Sequence, residues 1–289
     1  MDVIGAHVKR LPLLDDRWLP KPHDPAALAR AFVAGGVAGP STHPLDNVRA
    51  NILMLLDGDP DKCFGMTGLQ EGMDLDRVLD LVADGAGVPI DHDARYGPVP
   101  IAAERMLEQL AAAGERLAEA AERGETVVLA TGHPVGLALL YHALDGLLTE
   151  RGAKVLAPAD GARWRESHLP HDWLIDHWGG VGVLTDEREP RHTHRPYAME
   201  RMLAEVRPDL VVGDHGMAGA AIEAGVETIS IADVNDPALL VAKAQGRTEL
   251  VVVMDDHVAP DDYWPAFQAL ASAFEVRAGL EAGGYTDDC

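Results

Sequence analysis

The chain has 289 residues, 47% of them hydrophobic, enough for one large soluble domain or two modest ones with a sizeable core. Its 47 acidic residues against 24 basic ones leave a formal charge of -23, which disfavours nucleic acid and anionic membranes as partners. Cys63 and Cys289, far apart, form neither a disulfide framework nor a CxxC metal or redox motif, so the reading is cytoplasmic.

The opening "MDVIGAHVKRLPLLDDRW" is broken by charge and proline before an apolar export signal can develop, and no run approaches the ~20 apolar residues of a membrane span. Residues 1–25 read as irregular. "DPAALARAFVAGG" predicts a short helix that Asp24 can cap, with Pro25 in its first turn and Gly35 and Gly36 stopping it. "STHPLDNVRANILMLLDGD" predicts a second, with Leu45, Val48, Ile52, Leu55 and Leu56 at helical spacing. "LDRVLDLVADGAGV" predicts a third, and "AAERMLEQLAAAGERLAEAAERGE" a long fourth whose one breaker is Gly114. Residues 1–125 therefore read as a helical region. From 126 onward, short Val, Leu and Ile runs ("TVVLATG", "KVLAPA", "VGVLTD", "DLVVGDHG", "TISIADV", "LVVVMDDHV") alternate with helical stretches. That pattern predicts a doubly wound, mostly parallel, Rossmann-like α/β sheet over 126–289, with the helical region packed on it or continuous with it.

In such a sheet the ligand site lies outside the carboxyl ends of the strands, where helix N-termini also point their free amides. The tails there read "TGHPVG" (Thr131, Gly132, His133), "PADG" (Asp160), "TDEREPRHTH" (Asp186, His192, His194), "GDHGMAG" (Asp214, His215), "ADVNDP" (Asp233, Asn235, Asp236) and "MDDHV" (Asp255, Asp256, His257). Carboxylates crowded on one rim repel unless some are protonated or a cation sits among them. The cation is the more economical answer, with Asp214, Asp233, Asn235 and Asp236 as ligands and Asp255 or Asp256 completing the shell. Oxygen donors suit Mg2+ or Mn2+, while the interspersed histidines keep Zn2+ and Fe2+ open. The plain alternative is that Asp and Asn after a strand are common turn and cap residues, "DVNDP" before Pro237 included.

"ATGHPVGLALLYHAL" turns from strand to helix at Gly132, a geometry that suits a phosphate facing Thr131, His133 and the first amides of the helix. It is not a P-loop, and no GxGxxG follows any strand. "RHTHRP" reads as a loop whose arginines suggest anion contact or plain exposure for His192 and His194, and His142 reads as a core or interface histidine. "ILMLLDGDPDK" imitates the DxD opening of haloacid-dehalogenase-type phosphatases, but Asp61 stands where Thr or Val is expected and the preceding run is helical. It therefore reads as a helix-ending turn. With no GxSxG elbow and no cysteine nucleophile in view, metal-activated water is the simplest remaining engine.

Taken together, "RYG" (Arg95 to Gly97), "ATGHPVGL", "HTH", "DLVVGDHGMAGAAIEAGV", "IADVNDPAL" and "VVVMDDHV" resemble an actinobacterial family catalogued as phosphatases, over roughly residues 30–270. Asn47 and Tyr96 are further shared positions. The resemblance implies phosphomonoester hydrolysis. There is also a looser, fold-level similarity to metal-dependent damage-control phosphatases, which join a helical part to an α/β part with Asp and Asn ligands at strand ends. The expectation is a divalent-metal-dependent phosphatase acting on a small phosphorylated metabolite. His133 and the amides after Thr131 would meet the phosphate, Arg95 would be a second clamp, and His215 or His257, with Asp256 nearby, would handle the proton. Two alternatives stand beside it: a non-hydrolytic binding protein for an anionic metabolite, and a metal-dependent lyase or isomerase. Assembly as a homo-oligomer is left open.

Overall fold

A computed structural model describes residues 24–165, 172–186 and 188–283. Residues 1–23, expected to be irregular, and Cys289 lie outside the described residues. Helix α1 (Pro25–Ala34) starts as its sequence predicts, with the Asp24 side chain accepting from Ala26 N. The second helix spans the residues that its apolar spacing marks, and residues 41–44 ahead of them lie outside it. Gly39–Pro44 forms strand β1 and α2 runs only over Leu45–Leu56, because a proline biases the residue before it, here His43, away from helical geometry. Helix α3 (Leu75–Ala86) comes next, then strand β2 (Pro98–Ile101), which pairs antiparallel with β1, with Pro44 opposite Pro98. The N-terminal region is thus helical apart from this ribbon.

Helix α4 (Ala103–Arg123) leads into the sheet. Strand β3 (Thr126–Thr131), α5 (Pro134–Arg151), β4 (Lys154–Leu156), β5 (Arg163–Arg165), β6 (Asp172–Trp178) and β7 (Val181–Thr185) come first. Helix α6 (Tyr197–Glu205), β8 (Leu210–Asp214), α7 (His215–Glu223), β9 (Thr228–Ala232), α8 (Pro237–Ala244), β10 (Leu250–Val253), a 3-10 turn (Pro260–Tyr263) and α9 (Trp264–Gly283) complete it. The strand order is β10-β9-β8-β3-β7-β6-β5, with β4 pairing the first half of β3 and β7 the second. All neighbours are parallel except β5–β6 and β6–β7. The chain is a mostly parallel, Rossmann-like α/β fold.

Alternation along the strands feeds two cores. Val127 and Leu129 of β3 and Leu210 and Val212 of β8 join one cluster, while Val128, Ala130 and Val211 join the other, so both faces of the sheet are covered. Helices α4 and α9 cross closely on one face, where a Cβ on Gly114 would lie 2.5 Å from the Leu270 carbonyl oxygen. The helix therefore tolerates its weak former for the sake of contact. Register levels the strand ends: Gly213 lies beside Ala130, Asp214 beside Ile231 and Val253 beside Ala232. The residues just past those ends share one rim. Among the described residues no helix is long and apolar enough to cross a membrane.

Candidate active site

Strand β8 passes into α7 without a linking loop, and His215 takes the change of direction at φ +45°, a left-handed conformation that costs a non-glycine residue energy and concentrates at functional sites. A Cβ on the next residue, Gly216, would collide with the carbonyl oxygens of His194 and Arg195, so the "RHTHR" loop is pressed directly onto this turn. Asp214 is fully buried; its Oδ1 accepts from Gly132 N at 2.8 Å and meets His215 Nδ1 at 2.8 Å. His215 Nε2 faces Asp236 Oδ2 at 3.3 Å and Asp256 Oδ2 at 3.5 Å. Burial alone would lower the pKa of this imidazole, but Asp236, Asp214 and Asp256 raise it to about 10. Burial also opposes ionisation of Asp214, yet the bond and charge of His215 outweigh it and hold the carboxyl below its usual range.

At the end of β9, Asp233 Oδ1 accepts from Val234 N at 2.5 Å and Oδ2 lies 3.4 Å from His43 Nε2. At the end of β10, Asp255 accepts from Thr42 N at 2.5 Å, Thr42 Oγ1 at 3.1 Å and His257 N at 2.9 Å. Asp255 thereby fastens β1 to the sheet and brings His43 over the rim. His43 Nδ1 meets the Asn235 amide at 3.1 Å, and Asn51 Nδ2 holds the Asn235 carbonyl at 2.9 Å. Asp233 is pushed well above the carboxylate range by burial and by the charges of Asp256, Asp255 and Asp236. Asp256 is raised to about 7 by burial, with Asp236, Asp214 and Asp255 adding to the rise and His215 opposing it.

Four more imidazoles border these acids. His192 and His194 approach Nε2 to Nε2 at 3.0 Å, and His194 stacks on His215 with centroids 4.9 Å apart. His133, the N-cap of α5, lies 4.7 Å from His192 and 6.1 Å from the exposed His257. Burial first, then the His215 charge, lowers His133 and brings His192 to about 3 and His194 to about 4, so these rings are neutral at pH 7. Among the described residues, ligand atoms fall into three groups, each within 4.8 Å: His43, Asp233 and Asp256; His215, Asp236 and Asp256; His192, His194 and His215.

The structure thus brings together Asp214, Asp233, Asn235, Asp236, Asp255, Asp256, His133, His192, His194, His215 and His257 on one rim. Thr131 and Gly132 reach it, but Thr131 Oγ1 accepts from His133 N and the Gly132 amide is taken by Asp214. Arg95 is exposed ahead of β2, its guanidinium 5.5 Å from the Tyr96 ring centroid. Asp160 and Asp186 stand apart, the first paired with His177 and the second with Arg191. His43 and Thr42 were not apparent from sequence as site residues. A signal existed, because "STHPLDN" and "TGHPVGL" share a His-Pro entry to a helix. The "DGDPDK" turn is not a bystander either. It leads to Phe64, which packs edge-on against His194 and His215, while the Lys62 charge helps to depress His194.

A covered, mostly parallel sheet whose strand ends gather buried carboxylates and imidazoles is an α/β protein with a histidine–aspartate centre. A family model described as Phosphatase matches residues 24–276, and the chain belongs to that family. It is similar to Phosphatase SCO2771 of Streptomyces coelicolor, with 32% identity over 271 residues that span 91% of this chain and 100% of the relative. The family resemblance read from the motifs holds.

Proposed function

We propose that this chain is a divalent-metal-dependent phosphatase that hydrolyses a small phosphorylated metabolite. One observation carries the reading: Asp214, Asp233, Asp236 and Asp256 are buried side by side, and among the described residues their ion pairs all go to histidine. Buried carboxylates without lysine or arginine partners need a cation or protons. The mixed oxygen and imidazole donor set fits a divalent ion, Mn2+, Zn2+ or Fe2+ as well as Mg2+. Asp233, Asp236 and Asp256 would hold it with His43 or His215, and the bound ion would polarise the phosphoryl group and supply water of lowered pKa.

The chain's own residues do the rest. Asp214 accepts from Nδ1 of His215, which fixes the tautomer and leaves Nε2 as the ligand atom. That makes His215 a ligand and leaves proton delivery to the leaving oxygen to His257, which is exposed at the rim and can exchange with solvent. His133 is neutral and can donate to a phosphoryl oxygen. Arg95, with its forked guanidinium, is the second clamp. The test is phosphate release from sugar phosphates and nucleotides by chelator-treated protein, before and after adding Mn2+, Mg2+, Zn2+ or Fe2+. Metal-dependent release is expected. No release with any ion overturns the proposal, and metal-dependent turnover without free phosphate points to a lyase or isomerase.

A further inference from the structure

We infer that the rim binds two metal ions per chain, bridged by the carboxylate of Asp256. The inference rests on the metal-dependent reading above but not on the reaction assigned there. The three ligand groups are linked in a row: the first two share Asp256 and the last two share His215. A carboxylate has two oxygens and can serve two ions at once. An imidazole nitrogen has a single lone pair, and Nδ1 of His215 is already tied to Asp214 at 2.8 Å. His215 can therefore serve one ion only, which merges the second and third groups into one site. The count is two: one ion on His43, Asp233 and Asp256, the other on His215, Asp256 and Asp236 with His192 and His194 beside it.

The hydrogen bond behind His215 and the separate origins of the two imidazoles support the same division. Asp214 sits behind His215, and the side-chain nitrogen of Asn235 sits behind His43, 3.1 Å from Nδ1. At His215 the Nδ1–H donated to Asp214 turns the Nε2 lone pair towards Asp236 and Asp256, an outer-shell arrangement typical of histidine ligands, while His43 presents its Nε2 to Asp233 at 3.4 Å. Each site thus has its own imidazole, delivered by a different part of the fold, β1 for one and the β8–α7 turn for the other. The first site is oxygen-rich and the second nitrogen-rich, so their affinities for a borderline ion differ.

Mn2+ titrated into the chelator-stripped full chain tests this by stoichiometry and by electron paramagnetic resonance, neither of which requires turnover. Two equivalents of unequal affinity are expected, with a spectrum of two exchange-coupled ions, as for pairs roughly 3.5–4 Å apart. His43→Ala should bind one equivalent and give an uncoupled spectrum, and Asp256→Asn should abolish the coupling. One equivalent, three equivalents, or two magnetically isolated ions in the unmodified protein would overturn the inference. Phosphate release with one equivalent bound would sink the bridge but not the hydrolase. Two coupled ions without release would do the reverse.

Discussion

The sheet has two halves that meet at β3, and they treat the same sequence pattern differently. On one side, β7, β6 and the β4 loop are followed or edged by Asp186, Asp176 and Asp160, and each finds a local partner: Arg191 and two backbone amides, the Trp178 indole, and His177. On the other side, β8, β9 and β10 run into Asp214, Asp233, Asp236, Asp255 and Asp256, all buried, with only histidines as ionic partners among the described residues. A strand followed by aspartate is a turn in the first half and part of a buried acid–histidine cluster in the second. Asp186 is buried as well, so what separates the halves is a shortage of cations in the second. No lysine or arginine occurs between Arg207 and Lys243, so the acids of β8 and β9 have no local counter-charge to settle on.

The contrast can be broken first at Asp256, common to two of the ligand groups. Asp256→Ala should cost several kcal/mol of transition-state stabilisation, roughly a thousandfold or more in phosphate release at saturating Mn2+. Far-UV circular dichroism should be unchanged; activity within tenfold of the parent would show that the buried half is no more catalytic than its counterpart. Next comes Asp214, which supports His215 from behind: Asp214→Asn should lower metal affinity or turnover by about 10–100-fold, read by Mn2+ titration calorimetry. Unchanged affinity would make the Asp214–His215 pair a structural contact only.

A pH series sharpens the same comparison. The folded pKa of His215, about 10 against 6.5 for the free group, means that its stabilising contribution is complete below about pH 6.5 and lost as pH rises towards 10. Asp256, about 7 against 3.8, acts in the same sense, its contribution being complete below about 3.8 and gone above 7. Between about pH 7 and 9 the histidines with lowered pKa, His133, His192 and His194, are already neutral in both states and add no slope. The thermal midpoint of metal-stripped protein should therefore fall across that window, and added Mn2+ should restore it increasingly as protons cease to compete. A midpoint that rises with pH in the stripped protein would contradict the charge balance described for the rim. The smallest effect belongs to the other half: Asp160→Asn, with the Asp160 side chain 62% exposed, should leave turnover unchanged and shift stability by no more than about 0.5 kcal/mol by urea unfolding. A marked loss of activity would extend the centre across β3.

Much of this was legible in the sequence, because periodicity reports burial. The apolar runs of β3, β8, β9 and β10 gave both the strands and the covered sheet, and the position of Asp214, Asp233 and Asp255 at strand ends gave the rim. Register was not legible, since nothing local says that Asp214 aligns with Ile231 or Val253 with Ala232. His43 was hidden because its strand, "GPSTHP", holds two prolines and no alternating apolar residues, although its burial does alternate. The different fates of Asp186 and Asp214 were half visible: Arg191, five residues after the first, is a local partner that the second lacks.

The clasp between Thr42 and Asp255 joins residues 213 positions apart, and it is this clasp that sets His43 above Asp233. A ribosome therefore finishes the first imidazole long before it makes the aspartate that seats it. Neither the early helices nor the late strands can assemble the complete cluster alone, so a nascent polypeptide lacks it until synthesis is nearly over.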